Sequence, residues 1–375
     1  MIVQPWDRGL GFAAGEDLAE HRYRAADLPL PALLLRESAV VHNMRVMQRF
    51  CDERGLSLAP HGKTTMAPEL IRRQLEAGAW AMTAATVPQL AVMRAAGARR
   101  VIVANQLVGA PEIAWLERER ADVEVLCLVD SLEGVAALDA GVQRPLSVLI
   151  EVGATRAGCR TEEQALAVAD AVTAAPRLVL AGVEGFEGTL EAGAVDPFLD
   201  RMRAVVEALD ARGAFAAVDE IVVTAGGSMF FDRVAERLRL EGLSRPVRLV
   251  LRSGCYVTHD DGIYAQSTPL GDLRAALELR ARVLSCPEPG LAIAGFGKRD
   301  APYDLGLPVV REPAGVEVQA LNDQHAYLRD ERGVLRVGDT IVCGISHPCT
   351  AFDKWPLIAV IDDDDVVIGA IRTTF

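Results

Sequence analysis

Lys63 is a candidate catalytic residue, because its amine could react with a carbonyl group. Only three of the 39 lysine and arginine residues are lysines, namely Lys63, Lys298 and Lys354. Lys63 lies in the segment LAPHGKTT, which begins with a short apolar run. An amine that loses its proton can attack a carbonyl carbon, whereas a guanidinium stays charged and is a poor nucleophile. Lys63 is therefore a candidate for covalent chemistry, with an ion-paired surface lysine as the alternative.

Two glycine-bearing turns later in the chain could bind a phosphate group. Backbone N–H groups in such turns, and at the start of a helix, are ready donors to an anion. The turns lie in TAGGSMFFD and RSGCY, and their candidate residues are Thr224, Gly226, Gly227, Ser228, Gly254, Cys255 and Tyr256. A Schiff base with pyridoxal phosphate is the commonest use of a lysine in such a setting, whereas the alternative is that both turns serve only as turns.

A third segment, SHPCTAFDKW, pairs an imidazole with a thiol. His347 and Cys349 are two residues apart, so on an extended strand both side chains point to the same face. Imidazole and thiolate are ligands that zinc prefers, and two of them leave positions open for water or substrate. The alternative is a packed histidine beside a buried thiol.

The apolar runs around these segments predict a barrel. Between residues 56 and 254, short runs that are apolar throughout alternate with helical patterns, which is typical of parallel strands buried on both faces. The runs are LSLAP, AMTAAT, RVIVAN, VEVLCLVD, LSVLIEVG, LVLAGVEGF, EIVVTAGG and VRLVLRSG. Eight such strands predict an α/β fold, a (β/α)8 TIM-type barrel with its catalytic groups at the carboxyl ends of the strands. An open doubly wound sheet is the alternative, but no Gly-x-Gly-x-x-Gly motif follows the first strand.

The pattern changes after residue 265. Short alternating runs, split by Gly, Pro and Asp turns, predict a second, mostly β domain at the C-terminal end. We therefore predict a cofactor-binding barrel over residues 28–265 and a β domain over 266–375 that carries the metal motif. Residues 1–27 are expected to pack on the β domain.

Composition limits the classes of function. The 375 residues are 50% hydrophobic and 24% charged, which is the balance of a soluble globular protein. No apolar run approaches the ~20 residues of a membrane span, and the first residues lack the pattern of a secretory signal, so we expect a cytoplasmic protein without a membrane partner. The net charge of −13 argues against a nucleic-acid partner. Seven cysteines without close pairing indicate reduced thiols.

Together these segments resemble the D-threonine aldolase and D-serine dehydratase family of fold-type III pyridoxal-phosphate enzymes, which have the alanine racemase-like fold. The resemblance runs over nearly the whole chain. PHGKTTMAPELIRRQLEAGAW matches the lysine segment of the family, IEVGATRAGCR the segment with an arginine beside the cofactor ring, and VVTAGGS and RSGCY the phosphate loops. The resemblance implies that Lys63 carries pyridoxal phosphate, that His61 is a catalytic neighbour, and that Arg156 lies against the ring.

The metal motif and two departures qualify this resemblance. SHPCTAFDKW aligns with the family's metal motif, in which dehydratase-like members carry His-x-Cys and the best-known D-threonine aldolases His-x-Asp. The resemblance implies that His347 and Cys349 bind a divalent metal, and these ligand types favour zinc over manganese. GVEGFEG has Phe186 where members often have an aromatic hydroxyl, and LNDQHAYL has Gln324 where an acid is usual. The long variant of the motifs looks most like the bacterial branch labelled D-serine deaminase-like.

The implied function is a lyase that acts on D-β-hydroxy-α-amino acids. Dehydration of a D-serine-like substrate would give a 2-oxo acid and ammonia, and retro-aldol cleavage to glycine and an aldehyde is the alternative. A non-catalytic pyridoxal-phosphate carrier is an alternative of another class, but such a carrier needs neither a metal pair nor a second domain. A purely structural protein would leave Lys63 and the two glycine turns unexplained. The resemblance also implies a homodimer.

Overall fold

A computed structural model describes residues 2–16 and 23–375 of the protein. The chain forms two compact units, each with a sheet of its own. The barrel unit consists of Gln48–Lys63 and Ile71–Gly254, and the β unit consists of Met1–Met47, Thr64–Leu70 and Cys255–Phe375.

The strands and helices alternate through the barrel unit and give way to strands in the β unit. In chain order the strands are β1 (Ala32–Arg36), β2 (Ser57–Leu58), β3 (Met82–Ala84), β4 (Arg100–Gln106), β5 (Glu124–Val129), β6 (Leu146–Val152), β7 (Leu178–Gly185), β8 (Ile221–Ala225), β9 (Val247–Leu251), β10 (Leu277–Glu288), β11 (Leu291–Ala294), β12 (Val309–Glu312), β13 (Glu317–Leu321), β14 (Ala326–Arg329), β15 (Thr340–Gly344), β16 (Leu357–Ile361) and β17 (Val367–Arg372). The α-helices are α1 (Glu37–Asp52), α2 (Pro68–Glu76), α3 (Val87–Ala95), α4 (Ala110–Glu119), α5 (Leu132–Gly141), α6 (Glu162–Ala174), α7 (Ala192–Ala211), α8 (Phe231–Arg237) and α9 (Ile263–Ser267). No helix in this described part of the chain is long and apolar enough to cross a membrane.

The eight strands of the barrel unit are parallel and follow the order β2-β9-β8-β7-β6-β5-β4-β3. The first and last strands in this order are joined by backbone bonds, since Trp80 N–H donates to Leu58 O (2.7 Å) and Thr83 N–H donates to Pro60 O (2.8 Å). The predicted (β/α)8 barrel is therefore confirmed. Each predicted apolar run coincides with one strand, and only β4 extends past its run, by Gln106. The runs are apolar throughout because one face of each strand fills the barrel interior and the other packs under helices.

Hydroxyl side chains fix where several barrel helices begin. Thr86, Ser131 and Thr161 each precede a helix, and their side-chain oxygens accept the N–H group three residues on, at 3.4, 3.2 and 3.2 Å. Such N-caps satisfy backbone donors that the first helical turn leaves open. Two residues separate β3 from α3 and β5 from α5, whereas nine separate β6 from α6.

The β unit confirms the predicted second domain of mostly β structure. Its nine-stranded sheet runs β13-β14-β11-β10-β1-β16-β17, and β12 and β15 extend it beside β10. Described residues near the N-terminus, among them Val3 and Leu10, pack in the same apolar cluster as Leu34 and Val367. The part of the predicted packing of residues 1–27 that concerns Met1 and residues 17–22 lies outside the described residues.

The division of the structure differs from the predicted domain boundaries at 27/28 and 265/266. Strand β1 pairs with β10 and β16, so this strand belongs to the β unit. Asp261 N–H donates to Ile345 O (2.9 Å) and Ile263 N–H donates to Ser346 O (3.2 Å), which place the segment after Gly254 in the β unit as well. Periodicity along the chain shows that a strand exists but not which remote strand it pairs with.

Candidate active site

Lys63 lies at the carboxyl end of the first barrel strand. It occupies a short 3-10 turn, Gly62–Thr64, that follows β2, and its side chain is exposed. His61 comes two residues earlier, and its backbone N–H donates to Arg252 O at 3.2 Å. Burial, then the charges of Lys63 and Arg252, lower the pKa of His61 well below its usual range. The imidazole is therefore neutral at neutral pH and adds no further positive charge beside the lysine.

A buried ion pair joins the ends of β7 and β9. The Arg252 guanidinium pairs with the Glu184 carboxylate and also donates to Gly185 O (3.0 Å), and the two side chains are only 5% and 3% exposed. Burial raises the pKa of Glu184 to about 7, although Arg252 acts in the opposite sense. This ion pair was not predicted from the sequence. Its only signal was a single charged residue at the end of each apolar run, where a buried charge requires a partner.

Replacing Glu184 with glutamine should change how stability depends on pH. The folded pKa of about 7 exceeds the ordinary value of 4.5, so the carboxyl group stabilises the folded state below pH 4.5 and this contribution is lost as pH rises through about 7. Relative to Glu184→Gln, we expect the unmodified protein to lose up to about 3 kcal/mol of unfolding free energy over that interval. Urea unfolding of both proteins between about pH 4.5 and 8.5 measures the difference, and parallel pH curves would contradict the expectation.

Arg156 stacks on the phenylalanine that departs from the family pattern. Its guanidinium carbon lies 4.5 Å from the centroid of the Phe186 ring, which is a cation–π contact. The charge of Arg156 lowers the pKa values of both His61 and Glu184, although burial is the largest influence on each. The structure thus brings Arg156 into one charged cluster with Lys63, Arg252 and Glu184, beside the neutral imidazole of His61.

The predicted phosphate loop after β8 holds a carboxylate. Gly226 N–H and Gly227 N–H donate to the two oxygens of buried Glu187, at 3.0 and 2.6 Å. Gly226 has a φ of +98°, which favours glycine. The hydroxyl of Thr224 donates to Val250 O (2.9 Å) inside the barrel. The loop has the expected shape, but two of its predicted N–H donors and the Thr224 hydroxyl already have partners within the barrel unit.

The second predicted loop follows β9. Ser253 and Gly254 are buried, and the Ser253 hydroxyl donates to Gly227 O at 2.7 Å, which links this loop to the loop after β8. Ser228, the residue after Gly227, is half-buried. Cys255 and Tyr256, which complete the predicted set, are buried and belong to the β unit.

The barrel residues fit pyridoxal phosphate. Three buried polar atoms have no hydrogen-bond partner among the described residues of this cluster: His61 Nδ1, Arg252 Nη1 and Glu184 Oε2. Buried polar atoms normally have partners, so atoms of this kind call for an explanation. Pyridoxal phosphate, a polar aromatic ring with an anionic group, could supply hydrogen-bond partners to the Arg252 guanidinium and the neutral His61 imidazole. The Lys63 amine supplies the group that can hold an aldehyde covalently.

Three potential metal ligands lie together in the β unit. The ligand atoms of Cys255, His347 and Cys349 are all within 4.8 Å of one another, and the two sulfur atoms are 3.2 Å apart. The expectation that Cys349 lies on an extended strand is wrong, because the residue lies in a 3-10 turn, Pro348–Thr350, after β15. Pro348 has no N–H group and favours the first position of a helical turn. His347 and Cys349 nevertheless face the same point.

Asp304 orients the imidazole of His347. His347 Nδ1 lies 2.8 Å from Asp304 Oδ2, and the hydroxyl of Thr350 donates to Asp304 Oδ1 at 3.0 Å. A carboxylate on one ring nitrogen fixes the tautomer and leaves the other nitrogen for a metal. Nε2 is therefore the nitrogen that His347 offers to a metal.

Replacing Asp304 with asparagine should weaken metal binding by about 10- to 100-fold, which is the usual cost of losing a carboxylate partner of a metal-binding histidine. A chelator competition titration of the purified protein measures the affinity. Asp323→Asn is a matched control, because Asp323 is exposed and its ion pair with Arg299 is a surface pair. Equal affinities for the Asp304 and Asp323 variants would contradict the expectation.

Two family models match the chain. The model for the alanine racemase N-terminal domain matches residues 35–261, and a second model, for a serine dehydratase domain, matches residues 276–361. The first of these spans more than half of the sequence. The chain therefore belongs to the alanine racemase N-terminal domain family.

Individual relatives share the architecture over nearly the whole length. The chain is 26% identical over 369 residues to 3-hydroxy-D-aspartate aldolase of Paracoccus denitrificans (strain Pd 1222), covering 92% of each chain. The structure of D-threonine aldolase from Filomicrobium marinum has a TM-score of 0.81 at 23% identity, covering 92% of this chain and 95% of that chain. D-threo-3-hydroxyaspartate dehydratase from Delftia sp. HT23 has a TM-score of 0.76 at 21% identity, covering 93% and 98%. These likenesses confirm the predicted resemblance and the alanine racemase-like fold.

Proposed function

We propose that this protein is a lyase, dependent on pyridoxal phosphate and a divalent metal, that dehydrates D-serine-like β-hydroxy-α-amino acids to a 2-oxo acid and ammonia. The observation that carries the proposal is the position of Lys63 at the carboxyl end of the first barrel strand, in one charged cluster with Arg156 and beside the neutral imidazole of His61. The relatives support it, since they are named as aldolases and a dehydratase of D-hydroxy amino acids.

The barrel residues divide into those that hold the cofactor and those that move protons. Lys63 holds it covalently and Arg156 contacts the ring, while Ser228 and Gly254 belong to the loops for its phosphate. When bound, pyridoxal phosphate supplies an electron sink for the bonds at the α-carbon of the substrate. The amine of Lys63 would take the α-proton of the substrate from one face, which would select the D configuration. Neutral His61 can accept a hydrogen bond from the lysine without repelling it.

His347 and Cys349 would hold a divalent cation. As a Lewis acid, such a cation would polarise the bond between Cβ and the β-hydroxyl group of the substrate. Zinc suits an imidazole and a thiolate better than manganese does. Loss of the hydroxyl group and of the α-proton, followed by hydrolysis, gives the 2-oxo acid and ammonia.

Retro-aldol cleavage is the second candidate, because two of the relatives are named aldolases. In that reaction a base takes the proton of the β-hydroxyl group and the bond between Cα and Cβ breaks, which gives glycine and an aldehyde. The same residues would serve both reactions, which differ in the substrate bond that breaks.

Product analysis tests the proposal. The purified protein is incubated with D-serine, D-threonine and D-threo-3-hydroxyaspartate, with and without a chelator, and with the L-enantiomers as controls. We expect a 2-oxo acid and equimolar ammonia from a D-substrate only, and loss of the activity with the chelator. Glycine and an aldehyde would establish the aldolase instead, and a yellow protein without either product would favour a non-catalytic carrier.

The proposal also covers the oligomeric state of the protein and its location in the cell. A homodimer follows from the resemblance, and light scattering of the eluting protein in size-exclusion chromatography measures it directly. We also propose a reducing, cytoplasmic location, since all seven cysteines lie in the described part of the chain as free thiols.

A further inference from the structure

We infer that Cys255 is a third protein ligand of the metal, so that the site consists of one imidazole nitrogen and two thiolates. The inference rests on the metal of the proposed function and goes beyond it. The sequence motif assigned only His347 and Cys349 to the metal and placed Cys255 in a phosphate loop. The structure places the Cys255 sulfur 3.2 Å from the Cys349 sulfur and within 4.8 Å of the His347 ligand atom.

The backbone around Cys255 fixes this position. Cys255 begins a 3-10 turn, Cys255–Val257, and its carbonyl accepts the His259 N–H at 2.7 Å. The next residue, Asp260, accepts three backbone N–H bonds through one oxygen, at 3.0, 3.0 and 3.1 Å. The Cys255 side chain is 5% exposed. A thiol held this firmly beside a second thiol and an imidazole needs no rearrangement to share an ion with them.

A tyrosine completes the surroundings of the two sulfurs and the imidazole. The ring of Tyr264 meets the ring of His347 edge-on, with centroids 5.9 Å apart, and its side chain hydrogen-bonds with Cys255. Outer hydrogen bonds of this kind orient and stabilise the groups that bind a metal directly. Cys255 therefore has the partner expected of a thiolate ligand, as His347 has Asp304.

The three donors define the class of metal. Two thiolates and one imidazole select zinc over the oxygen-preferring magnesium and manganese, and two negative charges balance a divalent cation. Three protein ligands with one open tetrahedral position are typical of catalytic zinc sites, whereas four protein ligands are typical of structural ones. A fourth position of this kind would accept an oxygen ligand, either water or the hydroxyl group of a small alcohol-bearing substrate.

X-ray absorption at the zinc edge counts these ligands in the full-length protein loaded with one equivalent of zinc. We expect two sulfurs at about 2.3 Å and one protein nitrogen at about 2.0–2.1 Å. In Cys255→Ser we expect one sulfur and a zinc affinity reduced by more than about 100-fold, which exceeds the usual cost of changing an outer partner. Cys286→Ser, which alters an exposed cysteine of the same unit, is the matched control and should keep two sulfurs.

One sulfur in the unmodified protein would overturn the inference, and so would an unchanged sulfur count in Cys255→Ser. The measurement on the unmodified protein stands even where the Cys255 variant fails to fold. The absorption measurement uses no substrate, so its result does not depend on activity. Two sulfur ligands on the zinc would support the inference even if no lyase activity is found. Lyase activity with a one-sulfur site would overturn only the role of Cys255 and leave the proposed function intact.

Discussion

Lys63→Arg loses at least about 10⁴-fold in lyase activity. General acid–base catalysis alone is worth about 10²- to 10⁴-fold, and arginine can neither hold the cofactor covalently nor give up its proton. The variant should also lose the absorbance of lysine-bound cofactor, because that signal depends on the covalent bond. Initial rates with a D-substrate and an absorbance spectrum of the purified variant measure both effects.

Lys298→Arg is the matched control for this substitution. Lys298 is exposed in the β unit and its ammonium lies 5.3 Å from the centroid of the Tyr303 ring, a contact that arginine can also make. We expect full activity and an unchanged spectrum. Activity of Lys63→Arg within tenfold of the unmodified protein would contradict the role given to Lys63.

His347→Ala should lose bound zinc and about 10²- to 10³-fold of the lyase activity. A Lewis acid contributes several kcal/mol to the transition state, and each 1.36 kcal/mol corresponds to about tenfold in rate. Lys63 belongs to the barrel unit and does not need the metal to bind the cofactor, so the absorbance of lysine-bound cofactor should remain. Zinc content per chain, absorbance and initial rate together separate loss of the metal from loss of the cofactor.

His42→Gln is the control for this substitution. His42 lies on α1, and its Nε2 atom is 2.8 Å from Asp272 O, a backbone contact outside the metal cluster. Its replacement should leave zinc content and activity unchanged. Full activity of His347→Ala, with no zinc bound, would show that the reaction does not use the metal.

The barrel was predictable from the sequence because its strands are buried on both faces. Such strands consist of runs that are apolar throughout, as in VEVLCLVD, which contains β5. The number of these runs, eight, and the helical patterns between them then indicate a closed barrel. Strand β1 has the same apolar character but pairs with β10 and β16 of the β unit. Local pattern does not record remote pairing, so the domain boundary could not be predicted.

For the site, the sequence supports a hypothesis where a single residue type in one segment would carry the chemistry, as for Lys63 and His347. Residues that depend on a remote partner could not be predicted: Arg252 bonds to Gly185, 67 positions earlier, and Cys255 meets Cys349, 94 positions later. A buried guanidinium or a thiol next to a glycine turn is ambiguous until the fold supplies its neighbour.

Borohydride reduction followed by peptide mass spectrometry tests most directly whether Lys63 carries the cofactor. The purified protein is saturated with pyridoxal phosphate and reduced, which makes the Schiff base permanent, and its peptides are then sequenced. The reduced cofactor should be found on the peptide that contains Lys63 and on neither of the other two lysines. An unmodified Lys63, or a label on Lys298 or Lys354 instead, would contradict the central claim of the proposed function, that Lys63 carries the cofactor.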